Sequence, residues 1–159
     1  MITETAYYLT KEGLERIKKE HEHLVEFKKA KTRGEVPSVL HSEEINPEYL
    51  AFQEDLTLLE VRLTEYESIL KNVELIVPPA KGKRAEVCLG ATVTLEESEG
   101  VINEYTLLGT LEANPGEGKI SSSSPVGQVL LGKKVGEEVV INSPIRVVYR
   151  IKRIRYLSR

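Results

Sequence analysis

The chain has 159 residues, of which 40% are hydrophobic, 30% are charged and 6% are aromatic, and its formal net charge is −3. This length allows one domain or two small ones and is too short for a barrel enzyme. Its apolar runs are only a few residues long, far below the roughly 18 residues of a membrane-spanning helix, which excludes such a helix.

The charge is divided unevenly along the chain. Residues 1–79 hold 10 basic and 16 acidic residues, net −6, whereas residues 80–159 hold 12 and 9, net +3. This asymmetry favours two modules with different surroundings. The chain begins Met-Ile-Thr-Glu, with an acid where a secretory signal carries Lys or Arg, so we expect a cytoplasmic protein.

The first predicted helix begins after Thr10, a residue type that caps helices. One face of this helix carries residues at alternating steps of three and four: Leu14, Ile17, His21, Leu24 and Lys28. Such spacing is typical of the buried seam of a coiled coil.

The strongest periodicity belongs to a second helix. Its seam repeats at the same alternating steps without a break: Tyr49, Phe52, Leu56, Leu59, Leu63, Tyr66, Leu70 and Val73. Asn46 as N-cap and Pro47 at the first helical position mark its start. Because only a short stretch separates the two helices, the sequence predicts an antiparallel hairpin over residues 1–79, with its tip at about 33–46.

The predicted tip carries two neighbouring acids, Glu43 and Glu44. Paired carboxylates on a protruding loop could share Mg²⁺, which prefers oxygen ligands and keeps several waters. The alternative interpretation is a solvated acidic loop with no ligand.

Four basic residues precede the tip: Lys28, Lys29, Lys31 and Arg33. Positive charge at the end of a helix interacts favourably with the helix dipole, which explains the cluster without a ligand. The functional alternative is contact with a phosphate backbone.

After Pro78 the hydrophobic period changes to two, which predicts strands at 92–96, 104–108, 139–141 and 147–154. One short helix fits residues 125–131, capped by Ser124. The fold class is therefore predicted to be α+β, with an N-terminal antiparallel coiled-coil hairpin followed by a small, mainly β domain over residues 80–159.

Four segments of the chain resemble the Gre transcript-cleavage factors of bacterial RNA polymerase. They are Leu9-Thr-Lys-Glu-Gly13, Asn46-Pro-Glu-Tyr49, Gly90-Ala-Thr-Val-Thr94 and the run 120–136, which reads ISSSSPVGQVLLGKKVG. The segments lie in the family's order along nearly the whole chain, and the last is the most specific.

The resemblance implies an N-terminal coiled coil followed by an FKBP-like β domain. It further implies that the β domain docks on the rim of the polymerase's secondary channel while the coiled coil reaches the active site. There the tip acids help hold Mg²⁺ and a water, and the polymerase itself hydrolyses backtracked RNA. Such a factor has no catalytic residue or stably bound cofactor of its own. Its partners are bacterial RNA polymerase and the nascent RNA and DNA of the elongation complex, with no membrane, and it acts as a monomer.

The tip departs from the family's pattern, which typically reads G-D-L-S-E-N-A-E-Y, with acids three residues apart. Aligned on the shared Asn46, Ser42 replaces the Asp and Ile45 replaces the Glu. Counted from the Leu-Thr opening instead, Glu44 falls near the Asp position, because this chain is about two residues shorter before the tip. Glu43 and Glu44 are therefore the metal-binding candidates on the tip.

Three functions follow from these observations. The first is stimulation of RNA cleavage, and the second is a non-cleaving Gre-like paralogue that occupies the channel and modulates or inhibits the polymerase. The third belongs to another class, an FKBP-like protein-binding or chaperone module. Docking on polymerase is assigned to a set of residues in the last motif: Ser121, Ser122, Ser124 and Pro125. The alternative is that Ser124 and Pro125 only start a helix.

Overall fold

The computed structural model describes residues 5–41, 44–142 and 144–157. In these ranges the helices are α1 (Lys11–Arg33), α2 (Pro47–Lys71) and α3 (Pro125–Leu130). The strands are β1 (Tyr7–Leu9), β2 (Leu40–His41), β3 (Glu44–Ile45), β4 (Val73–Leu75), β5 (Ala91–Glu97), β6 (Ile102–Leu108), β7 (Lys119–Ser121), β8 (Glu138–Asn142) and β9 (Arg146–Tyr156). No helix in the described ranges combines the length and the apolar character needed to cross a membrane.

The chain forms two compact units. A hairpin unit spans Leu14–Asn72, and a globular unit combines Met1–Gly13 with Val73–Arg159. The predicted α+β class is confirmed. The sequence predicts two domains with the limits 1–79 and 80–159. These limits stay a prediction.

Helix α2 begins and runs as its seam predicts. The Asn46 side chain accepts a hydrogen bond from the backbone N–H of Glu48 at 3.0 Å, and Pro47 occupies the first turn. Every seam residue from Tyr49 to Leu70 is buried or half-buried. The extension of this seam to Val73 is wrong, because Val73 lies in β4 and pairs with Tyr7.

Helix α1 packs antiparallel to α2. Pairs across the two helices show the direction, since residue numbers rise on one helix as they fall on the other: His21 with Glu67, Lys28 with Glu60, and Lys31 with Asp55. Tyr66 donates a hydrogen bond to the Glu20 carboxylate, which raises the pKa of the Tyr66 phenol. The antiparallel hairpin predicted from the two seams is confirmed.

The globular unit contains a five-stranded sheet in the order β7-β6-β5-β9-β8. Its neighbouring strands are antiparallel except β6 and β7, which are parallel. Helix α3 packs against β7 and β8. The contiguous core has nine buried members: Val87, Ala91, Val93, Leu95, Leu107, Ile120, Leu130, Val139 and Ile151. All four predicted strands and the short helix are confirmed, whereas β7 was not predicted.

A second, two-stranded sheet pairs β1 with β4 in parallel. Directly after β1, the Thr10 backbone N–H and hydroxyl donate to the Glu112 carboxylate at 2.7 and 2.6 Å. The Thr10 hydroxyl also accepts from the Gly13 N–H at 3.0 Å, which confirms Thr10 as the cap of α1. A Cβ at Gly13 would overlap the Glu112 carboxylate, so a larger residue there would require this carboxylate to shift from its position beside Thr10.

Candidate functional site

The tip of the hairpin is a short antiparallel β ladder joined to the start of α2. Residues of β2 pair with those of β3, with Leu40 opposite Ile45. Asn46 follows directly and is only 7% exposed. Its backbone N–H donates to the Val39 carbonyl at 3.0 Å, and its side-chain amide donates to the Ser38 carbonyl at 2.9 Å. Asn46 therefore fixes both the returning strand and the first turn of α2.

The predicted metal-binding residues lie at this ladder only in part. Glu44 is the exposed first residue of β3, whereas Ser42 and Glu43 lie outside the described residues. Within the described ranges, no three side chains among His, Cys, Asp and Glu come together as metal ligands. The assignment of Mg²⁺ to Glu43 and Glu44 stays a prediction.

Three apolar side chains are exposed beside the ladder. Val36 is 52% exposed, Val39 is 54% exposed and Ile45 is 59% exposed. Sequence reasoning did not single out this apolar surface, although Val36 and Val39 stand in a segment with no helical seam to bury them. The tip therefore combines an exposed carboxylate with aliphatic surface.

The basic residues before the tip are largely engaged within the hairpin. Three of the four lie within salt-bridge distance of carboxylates: Lys28 of Glu60 at 3.3 Å, Lys29 of Glu26 at 2.9 Å and Lys31 of Asp55 at 2.7 Å. The Lys31 ammonium also lies 5.5 Å from the centroid of the Phe52 ring. Lys29 lowers the pKa of Glu26, chiefly through its hydrogen bond. Arg33 is exposed at the end of α1. These contacts support a structural role for the lysines, and phosphate contact stays a prediction.

The serine-rich segment of the globular unit forms the turn into α3. The Ser124 hydroxyl donates to the Ser121 carbonyl at 2.6 Å and accepts from the Gly127 N–H at 3.1 Å. Ser121 is buried, and its hydroxyl lies 2.7 Å from that of Ser123. A Cβ at Gly127 would overlap the Ser121 carbonyl oxygen, so this turn needs glycine there.

This geometry separates the four predicted docking residues into two pairs. The hydroxyl groups of Ser121 and Ser124 form hydrogen bonds within the turn, as the capping interpretation requires. Ser122 is half-buried and Pro125 is exposed, so these two offer surface to a partner. Docking through this segment stays a prediction.

Comparison with known proteins gives matches over both units. Residues 82–156 match the family model described as "Transcription elongation factor, GreA/GreB, C-term". The transcription elongation factor GreA of Thermomicrobium roseum is 41% identical over 138 residues, covering 86% of this chain and 88% of that protein. GreA of Mycoplasma genitalium is 35% identical over 163 residues, covering 96% of each chain. These matches place the chain among transcription elongation factors.

The chain belongs to the GreA/GreB family of transcription elongation factors. Among solved structures, the crystal structure of GreA factor homolog 1 (Gfh1) of Thermus thermophilus is 25% identical, with a TM-score of 0.43. That match covers 95% of this chain and 99% of the Gfh1 chain.

Proposed function

We propose that this protein binds bacterial RNA polymerase at its secondary channel and stimulates the polymerase's own cleavage of backtracked RNA. Binding polymerase and stimulating cleavage is the role of the GreA/GreB family. The observation that carries the proposal is the 41% identity to a GreA factor over 86% of the chain, which includes both hairpin and sheet. The protein acts as a monomer, supplies no catalysis of its own, and meets nascent RNA and DNA within the elongation complex.

The hairpin has the dimensions that this role requires. Helix α2 has 25 residues, and at 1.5 Å per residue it is about 38 Å long. Two antiparallel helices of about 10 Å diameter form a narrow rod, which suits entry into a channel. Ion pairs between α1 and α2 flank the apolar seam of this rod.

At the tip, we propose that Glu43 and Glu44 help to hold a Mg²⁺ ion shared with the polymerase. The exposed Glu44 carboxylate is a hard oxygen donor of the kind that Mg²⁺ prefers. Such an ion would activate water for phosphodiester hydrolysis. The role of this chain is to add negative charge at the position where the ion binds. The fixed backbone of β3, which Asn46 ties to α2, limits how far Glu44 can move.

The exposed apolar tip favours one alternative function. Ile45 stands where the family pattern has an acid, and it is 59% exposed beside Val36 and Val39. An aliphatic tip can fill a channel without binding a cation. A non-cleaving factor that modulates or inhibits polymerase by occupying the channel is therefore the second candidate.

The decisive experiment is RNA cleavage in a purified backtracked elongation complex. Wild-type protein should accelerate shortening of the RNA 3′ end, and the E43Q/E44Q double variant should lose at least about ten-fold of this effect while still binding polymerase. A matched control is E22Q/E54Q, which removes two exposed hairpin acids away from the tip. Equal loss in both variants would reject a local metal role. Binding without any acceleration by wild type would favour the channel-occupying alternative.

Docking is tested separately with polymerase binding. Replacing Ser122 and Pro125 together by Ala should weaken binding to core polymerase if this surface forms the contact. The turn itself should stay folded, because neither side chain holds it through its own hydrogen bonds. Ser98→Ala, at a turn of the sheet, serves as the control. Unchanged affinity would show that the docking surface lies elsewhere. An absence of polymerase binding by the wild type would favour the FKBP-like protein-binding module.

A further inference from the structure

A cluster of cations on the globular unit is unrelated to the tip or the serine turn. Two segments, 80–88 and 131–137, are paired by backbone contacts at residues 86–87 and 132–134. Glu86 and Lys134 form an antiparallel bridge, and the Val87 N–H donates to the Lys133 carbonyl at 2.8 Å. The two paired segments carry five basic residues, which we call the basic face: Lys81, Lys83, Arg84, Lys133 and Lys134.

The acids beside the basic face are already engaged. The Glu86 carboxylate lies 3.4 Å from the Lys134 ammonium, and the Glu137 carboxylate accepts from the Lys134 backbone N–H at 2.6 Å. Among the described residues, no carboxylate lies within 4.0 Å of the charged groups of the other lysines of the face: Lys81, Lys83 and Lys133. These three charges are therefore uncompensated locally, in a chain whose net charge is negative.

The surface around these charges is open. A Cβ built at Gly82, Gly132 or Gly136 would meet no other atom within 4 Å, apart from its chain neighbours. Lys81, Lys83 and Arg84 are exposed, and Lys133 is half-buried. The charged ends of these side chains are therefore accessible to a polyanion.

The composition of the face indicates the kind of polyanion. Segments 80–88 and 131–137 contain no aromatic residue, and their exposed apolar side chains are aliphatic, Leu131 and Val135. Protein interfaces are enriched in aromatic residues and depleted in Lys. Binding of single strands relies on aromatic rings that stack on the bases. We propose that the basic face binds the phosphate backbone of a nucleic-acid duplex, without reading its sequence.

This inference does not rest on the proposed function, since the test needs no polymerase. Full-length protein is titrated against a short, fluorescently labelled DNA duplex of mixed sequence, between about 50 and 200 mM salt. The wild type should bind weakly, with a logarithm of affinity that falls linearly with the logarithm of salt concentration. The test variant is K81Q/K83Q/K133Q. The control K19Q/R146Q/R153Q removes three exposed cations elsewhere on the chain.

The test variant should bind the duplex at least about ten-fold more weakly at the lower salt. The slope of log affinity against log salt should fall in magnitude by about two to three for this variant and by about one for K83Q alone. The control should change affinity by less than about two-fold. Three outcomes would overturn the proposal: no salt-dependent binding by the wild type, equal losses in test and control variants, or equal affinity for the single strand of the same sequence. Thermal melting of each variant verifies that it is folded.

Discussion

The hairpin unit and the globular unit bury apolar side chains to very different extents. In α2, the described residues that are buried are Leu59 and Leu63, and the polar contacts to α1 include ion pairs and a phenol–carboxylate hydrogen bond. The globular unit instead contains nine buried residues in one contiguous cluster. Packing free energy is therefore concentrated at two leucines in the hairpin and spread over a sheet and helix in the globular unit.

The slender hairpin is stabilised differently from the globular core. Two helices side by side have a narrow interface, and exposed ion pairs such as Lys28–Glu60 contribute only about 0–1 kcal/mol each. The charged position at the end of the α1 seam, Lys28, lies toward the tip, so apolar packing weakens in that direction. A rod that enters an aqueous channel benefits from this arrangement, because its surface stays charged and soluble.

The largest expected effect is in the core of the globular unit. Leu95 is fully buried, and Leu95→Ala should lower the free energy of unfolding of this unit by about 3–5 kcal/mol, through lost burial and a cavity. Urea unfolding monitored through amide exchange in β5 and β9 measures it. Val101→Ala, at a position that is 49% exposed, should change the value by less than about 0.5 kcal/mol.

A smaller loss is expected in the hairpin. Leu63 is 7% exposed, and Leu63→Ala should cost about 2–4 kcal/mol, because the narrow interface can relax around the smaller side chain. Amide exchange in α1 and α2 should accelerate while exchange in the sheet stays unchanged. Leu58→Ala is the matched control, since Leu58 is 66% exposed on the same helix. Similar effects of the two substitutions would contradict the seam.

At the tip, a local loss of stability is expected from substitution of Asn46. Asn46→Ala removes the cap of α2 and the bond to the Ser38 carbonyl, and should cost about 1–2 kcal/mol locally. Exchange of the amides of Glu48 and Leu50 should accelerate most. Asn46→Asp keeps the capping acceptor but cannot donate to Ser38, so an intermediate effect is expected. Equal effects of Ala and Asp would show that the cap contributes nothing.

The smallest expected effect is a change in the stability of the globular unit with pH. The Tyr156 hydroxyl donates to the Glu86 carbonyl and accepts from the Cys88 N–H at 2.9 Å, and burial raises the pKa of this phenol to about 12. An unfolded tyrosine titrates near about 10. The native state therefore keeps its proton longer, and stability present below about pH 10 is lost as pH rises toward about 12.

Because this ring is only partly buried, solvent screening reduces the expected loss to about 1 kcal/mol. The measurement is the difference between wild type and Tyr156→Phe in urea unfolding at pH values from about 8 to 11. The two proteins should converge as pH rises. A constant difference across this range would show that the phenol does not titrate differently in the folded state.

Most of the fold could be predicted because its signals are periodic and local. The seam from Tyr49 to Leu70 fixes the buried face of α2, and Asn46 and Pro47 fix its start. Alternating apolar residues likewise located β5, β6, β8 and β9. Strands of two or three residues, such as β1 and β7, carry too few alternations to produce a signal.

Contacts between distant parts of the chain could not be predicted for a different reason. The Glu112 carboxylate that binds Thr10 lies 102 residues away in sequence, and neither residue indicates its partner. The extension of the seam to Val73 failed because pairing with β1 overrides helical periodicity there. The candidate tip is harder still, because Glu43 and Glu44 carry no spacing that distinguishes a metal ligand from a solvated loop.

Stimulation of cleavage is tested by the rate of RNA cleavage in a backtracked elongation complex, measured across a Mg²⁺ titration with and without this protein. The proposed function predicts a faster maximal rate and half-maximal cleavage at a lower Mg²⁺ concentration when the protein is present, because its tip carboxylates add negative charge at the shared ion. An unchanged rate at every Mg²⁺ concentration, under conditions where the protein is bound to polymerase, would contradict cleavage stimulation.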